Sequence, residues 1–125
     1  MNRKNALTFL ELIVVVILVS IFAAFGVGRY QKLMTSTRQK DAINNLILIK
    51  AAQKIYFAKN GEYLPNAGTV AIGEINSGLH LSIVEPNNLT YICEDDGPTN
   101  YKCEAEYSGS PNWTCTIAND SKPSC

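Results

Sequence analysis

A predominantly apolar stretch runs from Leu7 to Gly28, and Glu11 is its only charged residue. The stretch is 22 residues long. As a helix it would span about 33 Å at about 1.5 Å per residue, which matches a bilayer's hydrocarbon core of about 30 Å. A carboxylate in lipid is costly, by about 2.5–3.5 kcal/mol for Asp at the helix centre on insertion scales. The pattern predicts a membrane-spanning helix in which a further interaction offsets the free-energy cost of placing Glu11 in lipid.

The helical pattern continues beyond the apolar stretch. The segment from Tyr30 to Lys59 contains no proline and no glycine and is rich in Ala, Lys, Gln, Leu and Ile. Asn60 and Gly61 then predict a helix end, because glycine readily takes the left-handed cap conformation. We therefore predict one helix from Leu7 to Lys59. Four residues recur at helical spacing and predict the stripe that packs on a sheet: Leu48, Ala52, Ile55 and Tyr56.

A helix of 53 residues reaches about 80 Å and cannot be covered by a head of 65 residues. Its remainder needs lipid before assembly and other copies afterwards, which is a physical argument for a polymer. Gly26 and Gly28 predict the weakest point of the helix, since each glycine costs about 1 kcal/mol relative to alanine. Alternatively, these small residues allow neighbouring helices to approach closely.

The C-terminal half alternates between short apolar runs and turn residues. Three antiparallel strands are predicted at Leu89–Glu94, Asn100–Tyr107 and Asn112–Ile117. The segment from Leu64 to Ser77 is predicted as a loop, with a short extended piece at residues 70–72, and Leu79–Val84 as a short helix or strand. The predicted fold class is therefore α+β: a long N-terminal helix packed on a small antiparallel three-stranded sheet.

The charge is zero overall but unevenly distributed. Residues 29–59 contain seven basic residues and Asp41, a net +6, whereas residues 60–125 contain two basic and nine acidic residues, a net −7. This asymmetry suits packing of an acidic head against a basic stalk in a polymer. It equally suits basic residues that face anionic lipid headgroups.

The four cysteines, Cys93, Cys103, Cys115 and Cys125, all lie in the C-terminal third. This pattern indicates two disulfides formed in an oxidising compartment, because a zinc site needs closely paired cysteines that the sequence lacks. Three pairings are possible. A turn near Gly97 and Pro98 places Cys93 opposite Cys103 on the same face, which leaves Cys115 to pair with Cys125 and tie down the tail.

Candidate catalytic chemistry is sparse. His80 is the only histidine, which excludes a multi-histidine metal site, and we expect it at the surface. Residues 95–97, Asp-Asp-Gly, predict a hairpin turn more readily than a calcium loop. The sequence lacks a glycine-rich phosphate loop, and its acidic head argues against a nucleic-acid site. We expect no enzyme activity, no catalytic residue, no metal and no cofactor.

The N-terminal residues carry a family resemblance. A short basic leader, residues 1–6, ends in the small residue Ala6, and Glu11 is the fifth residue after it. This combination resembles the signal of type IV pilins and of the related type II secretion pseudopilins. Ala6 replaces the usual glycine, and Leu7 the usual phenylalanine. The segment Ala51–Tyr63 also resembles the end of the long helix in bacterial pilins.

The resemblance implies cleavage between Ala6 and Leu7, methylation of the new amine of Leu7, and an assembly role for Glu11. It divides the chain into a leader (1–6), a transmembrane and assembly helix (7–28), an amphipathic half (29–60) and a globular head (61–125) whose C-terminal region is closed by disulfides. An ordinary secretory signal has a shorter apolar region, and a plain membrane anchor leaves Glu11 unexplained.

The implied function is that of a structural subunit of a type IV pilus. Its partners would be identical copies in a helical filament, the prepilin peptidase, the pilus assembly machinery and the inner membrane before assembly. The chain would end in an extracellular filament. Two alternatives stay open: a type II secretion pseudopilin, and a membrane-anchored binding domain that does not assemble.

Overall fold

The computed structural model describes residues 8–97 and 99–125. Contacts divide the chain into two compact units, one ending at Ser36 and the other covering Thr37–Cys125. The fold is α+β, as predicted. In chain order the elements are helix α1 (Phe9–Asn60), strand β1 (Thr69–Ala71), helix α2 (Ile72–Leu79) and strands β2 (Leu89–Asp95), β3 (Tyr101–Tyr107) and β4 (Trp113–Ala118).

Helix α1 continues without a break through Gly26 and Gly28, the point predicted to be its weakest. A methyl group added at either glycine would meet no other atom within 4 Å. The helix ends at Asn60, and Gly61 has a positive φ of 78°, which is the predicted left-handed cap. Its amide donates to the carbonyl oxygen of Phe57 at 2.8 Å.

In the second unit, α1 packs through one face only. The buried positions follow a helical spacing and join the sheet in one hydrophobic core: Ala42, Leu46, Ile49, Ala52 and Gln53. The predicted stripe is therefore correct for Ala52 and for the half-buried Tyr56 but wrong for Leu48 and Ile55, which are exposed. Because the true core face includes the polar Gln53, a search for apolar residues alone selected a neighbouring face.

The sheet is an antiparallel meander in the order β1-β2-β3-β4. It has one strand more than predicted. In the β2–β3 hairpin Cys93 lies opposite Cys103, and in the β3–β4 hairpin Ala105 lies opposite Cys115. Alternate side chains of the last three strands join α1 in the core; the buried ones are Leu89, Tyr91, Cys93, Tyr101, Cys103, Ala105, Tyr107, Cys115 and Ile117.

In the segment predicted as a loop, Leu64–Ser77, the short extended piece predicted at residues 70–72 corresponds to β1, shifted by one residue, but most of α2 lies where no helix was predicted. The predicted element at Leu79–Val84 is also wrong, since Leu79 ends α2 and residues 81–84 are irregular. Helix α2 has an apolar face because Ile75 and Leu79 are buried one turn apart. Gly73 and Gly78 are unfavourable in a helix, so the sequence did not predict α2.

Candidate functional site

The first unit, which ends at Ser36, contains the apolar part of α1. Every side chain from Thr8 to Leu33 is exposed, including Phe22 and Phe25 at 75% each. By length and composition α1 is able to cross a membrane. The hydroxyl of Ser20 donates to the carbonyl oxygen of Val16 at 2.7 Å, so this polar group is satisfied within the helix, as lipid requires. These properties fit a membrane anchor.

Glu11 lies in the first turn of this helix. The Glu11 amide donates to the hydroxyl of Thr8 at 3.3 Å, and the Leu12 amide donates to the carbonyl oxygen of Thr8 at 3.1 Å. Thr8 therefore acts as the N-cap, and Glu11 occupies the glutamate position of a capping box. A carboxylate also interacts favourably with the positive end of the helix dipole. The sequence interpretation missed this local role, although Thr-x-x-Glu is its signature.

The predicted cleavage residues, Ala6 and Leu7, lie outside the residues that the structure describes, as does the rest of the predicted leader. Cleavage between Ala6 and Leu7 stays a prediction.

A second candidate lies in the other unit, between α1 and the segment that follows α2. We call it the helix–loop groove. It has a volume of about 510 Å³ and is lined on the α1 side by Leu48, Ala52, Ile55 and Tyr56 and on the other by Leu79 and Leu81. Lys59 stands at the helix end of the groove.

The loop wall of this groove is fixed by Asn76. Its side-chain amide donates to the carbonyl oxygen of Ile83 at 2.8 Å, and its Oδ1 accepts from the amide of Ile83 at 3.0 Å. The backbone carbonyl of Asn76 accepts from the amide of Leu81 at 2.9 Å. His80 turns the chain between these contacts in a left-handed conformation, with φ of 56°. Asn76 therefore holds this wall in place by three hydrogen bonds, one that it donates and two that it accepts.

Both disulfides join the predicted partners. Cys93 bonds to Cys103 across the β2–β3 hairpin, and Cys115 bonds to Cys125 at the end of the tail. The tail also pairs with β4, because Thr116 and Ser124 exchange backbone hydrogen bonds of 2.8 and 3.0 Å. The ammonium group of Lys50 on α1 donates to the carbonyl oxygen of Ser121 at 2.6 Å.

The turn at residues 95–97 is a hairpin turn. Asp95 Oδ1 accepts from the amide of Gly97 at 3.1 Å, and the carbonyl oxygen of Gly97 accepts from the amide of Asn100 at 3.0 Å. His80 is exposed. Within residues 8–97 and 99–125, no group of three or more His, Cys, Asp or Glu side chains is arranged to hold a metal.

Few charged side chains among the described residues of the second unit form ion pairs with one another. In the part of the chain that the structure describes, the one ion pair joins Lys102 to Glu104 at 2.5 Å. A hydrogen bond and the charge of Glu104 raise the pKa of Lys102 above its ordinary value. Lys40, Lys54 and Lys59 are exposed on α1. Both meanings of the charge asymmetry, a basic stalk for other copies or for lipid headgroups, therefore stay predictions.

Two further contacts were not predicted. Gln53 is fully buried and bonds to the backbone of Leu64. Arg38 lies 5.1 Å from the centre of the Tyr107 ring and donates to its hydroxyl at 2.5 Å, while Tyr107 stacks on Trp113. Arg38 and Tyr107 are 69 residues apart, and the bonds of Gln53 go to an irregular segment that follows α1, so no periodic pattern predicts either contact.

Comparison of the chain with protein-family models, curated proteins and solved structures gave no match. The resemblance to type IV pilins therefore depends on the sequence signals at residues 1–12 and 51–63.

Proposed function

We propose that this chain is a structural subunit of a type IV pilus, anchored in the inner membrane as a precursor and polymerised through its N-terminal helix. The observation that supports this proposal is the exposure of α1: every side chain from Thr8 to Leu33 is exposed, and most are apolar. The same helix extends into a disulfide-bonded head. A chain of this kind needs lipid or other copies to cover its apolar half.

Glu11 supplies the chemistry of assembly in this proposal. Cleavage between Ala6 and Leu7 creates a cationic amine on each copy, and a carboxylate in an apolar environment is stabilised by such a partner. Two opposite charges about 4 Å apart attract by about 4 kcal/mol at an effective dielectric constant near 20. This attraction is large enough to offset the insertion cost of about 2.5–3.5 kcal/mol and to select the register of docking.

The head has the properties of a domain outside the cytoplasm. Its two disulfides persist in an oxidising compartment such as the periplasm or the cell surface. In this proposal the helix holds the precursor in the inner membrane, and the head becomes the exterior of the filament.

The test combines electron microscopy of the cell surface with intact-mass measurement of the subunit from sheared filaments. We expect filaments whose subunit has 119 residues, the 125 of the sequence without its first six, plus one methyl group on Leu7. A fibre confined to the periplasm would favour the pseudopilin alternative, and an uncleaved monomer in the membrane would favour an anchored binding domain. Cleavage near Gly26 would overturn the proposal, because it removes the assembly helix.

A further inference from the structure

The helix–loop groove exposes two large aliphatic side chains of the second unit, Leu48 and Ile55, on a concave surface. Leu48 is 47% exposed and Ile55 is 59% exposed, and both lie beside the face of α1 that packs on the sheet. Apolar surface in contact with water is unfavourable in proportion to its area. A concave apolar surface is the usual form of a contact site.

The groove runs lengthwise along α1. From Leu48 to Lys59 it follows α1 for about 16 Å, which is about three helical turns. Its other wall does not need to be ordered by a ligand, because Asn76 already fixes Leu81 and Ile83 by three hydrogen bonds. A preformed wall lowers the entropy cost of binding.

The chain itself provides the complementary surface. Residues 12–28 of α1 carry no charge and expose their aliphatic and aromatic side chains. The only charged side chain of the apolar helix is the carboxylate of Glu11, whereas the groove contributes the ammonium group of Lys59 and no acidic residue. Docking therefore brings apolar surfaces together without opposing like charges.

We infer that the helix–loop groove of one copy receives the apolar helix, residues 9–28, of a second copy. The inference rests on the proposed function, and it identifies the surface of the head that accepts the assembly helix. The apolar helix gains little on leaving lipid, since lipid tails are as apolar as leucine. The favourable free energy comes from the groove, where Leu48 and Ile55 are removed from water.

This contact joins two different surfaces of the same chain, the groove in one unit and the apolar helix in the other. Such a heterologous contact produces a ring if its rotation closes and an open helical filament if it does not. Where the rotation does not close, the filament grows, because each added copy presents a new free groove.

The first test places a photo-crosslinking amino acid at Ile55 of the full-length chain, in cells that assemble filaments. We expect a crosslinked dimer in sheared filaments, and peptide mapping that joins position 55 of one copy to residues 9–28 of another. Crosslinks to lipid, or to residues 37–125 of another copy, would show that a different partner occupies the groove.

The second test introduces a carboxylate into the groove by Ile55→Asp. We expect the yield of filaments to fall by at least about tenfold, because covering a carboxylate with an apolar helix removes its water, and the nearby ammonium group of Lys59 offsets that cost only in part. The matched control is Val84→Asp, since Val84 is a β-branched side chain that is 80% exposed and does not line the groove. Val84→Asp should assemble normally. Non-reducing peptide mapping of both variants, to detect the two disulfides, checks that each head is folded.

The outcomes separate this inference from the function on which it rests. If the unchanged chain forms no filaments, the proposed function fails and the inference fails with it. If the unchanged chain and the folded Ile55→Asp variant both form filaments at equal yield, the pilus proposal stands and the groove is not the acceptor. An equal loss for Val84→Asp would show a general sensitivity of the head to added negative charge, which also overturns the role of the groove.

Discussion

The side chain of Gln53 satisfies both backbone groups of Leu64. Its Oε1 accepts from the Leu64 amide at 2.9 Å, and its Nε2 donates to the Leu64 carbonyl oxygen. Gln53 is fully buried on α1, so these two bonds fasten the segment after the helix to the helix itself. A buried polar group is retained at low cost only when it is paired in this way.

Gln53→Ala should therefore be strongly destabilising. It leaves the amide and the carbonyl oxygen of Leu64 without their partner, and each unpaired buried group costs about 1–3 kcal/mol. We expect the free energy of unfolding to fall by about 3 kcal/mol in urea titrations of the full chain in detergent micelles. The matched control is Gln39→Ala, at a half-exposed glutamine of the same helix, which should change it by less than about 0.5 kcal/mol. Equal effects of the two variants would contradict this role of Gln53.

Two buried tyrosines provide a paired test of hydroxyl groups. The hydroxyl of Tyr91 accepts a hydrogen bond of 2.8 Å from the side chain of Asn45, whereas that of Tyr101 is buried and has no hydrogen-bond partner among the described residues. Tyr91→Phe should cost about 1 kcal/mol of unfolding free energy at pH 7. Tyr101→Phe should be neutral or stabilising, because no bond is lost. The same urea titrations, run on both variants, compare the two values.

The pH dependence of Tyr101→Phe is predicted separately. Burial, with a smaller effect of Tyr63, raises the pKa of Tyr101 above the ordinary value of 10.0, and burial also raises the pKa of Tyr91. A raised pKa means that the folded chain favours the neutral form of the tyrosine. The stability that the buried neutral tyrosine contributes is therefore fully present below pH 10, and it is lost as the pH rises above 10 because the unfolded chain then ionises first.

Tyr101→Phe should remove part of this loss, by up to about 1.4 kcal/mol for each pH unit above 10. Urea titrations of both chains at several pH values between about 9 and 11 measure the two slopes. Parallel slopes above pH 10 would show that Tyr101 ionises equally in the folded and unfolded chains.

The parts of this fold that could be predicted depend on local patterns. The register of the β2–β3 hairpin follows from the position of its turn, so the sequence was sufficient to pair Cys93 with Cys103. The end of α1 follows from Gly61, which takes the positive φ that other residues avoid. Each of these features is determined by residues close together in the chain.

The parts that could not be predicted depend on side-chain bonds to irregular backbone, which leave no periodic pattern in the sequence. The buried face of α1 includes Gln53 only because the backbone of Leu64 lies beside it, and this neighbour is not evident from residues 37–60. The helix–loop groove likewise needs Asn76 to hold Ile83 before it has a second wall. Leu48 and Ile55 are exposed because the face of α1 that packs on the sheet is the one that contains Gln53.

The Cys115–Cys125 disulfide should matter mainly for the tail. Both disulfides close loops of the same sequence separation, 10, so the chain-entropy model gives each somewhat under 3 kcal/mol. Cys93 and Cys103, however, lie within a hairpin that is paired along its whole length, whereas the tail forms a single β-bridge with β4, at Thr116 and Ser124, and a turn that joins Ser121 to Ala118.

We therefore expect Cys115→Ala/Cys125→Ala to increase hydrogen exchange in residues 119–125 strongly, with little change in β2 and β3. Cys93→Ala/Cys103→Ala is the matched control, and it should lower global stability without a selective effect on the tail. Hydrogen-exchange mass spectrometry distinguishes the two patterns. Protection of the tail that is unchanged without its disulfide would show that its hydrogen bonds are sufficient.

The last prediction separates two roles of Glu11, the charge that the pilus proposal requires and the capping box that the structure describes. Glu11→Ala removes both, and we expect it to leave cleavage after Ala6 largely intact while blocking or severely slowing assembly. Mass spectrometry of the membrane fraction measures cleavage, and the yield of sheared filaments measures assembly. Normal filaments at normal yield would exclude Glu11 as the assembly contact.

Glu11→Gln and Thr8→Ala assign the effect to one of the two roles. Glutamine also serves in a capping box but has no charge, so Glu11→Gln should fail to assemble as Glu11→Ala does if the charge is what matters. Thr8→Ala removes the hydroxyl that accepts from the Glu11 amide and keeps the carboxylate. It should cost about 1 kcal/mol of helix stability and still permit assembly. If Glu11→Gln assembles and Thr8→Ala does not, Glu11 acts through the cap, and attraction to the amine of Leu7 is not what drives docking.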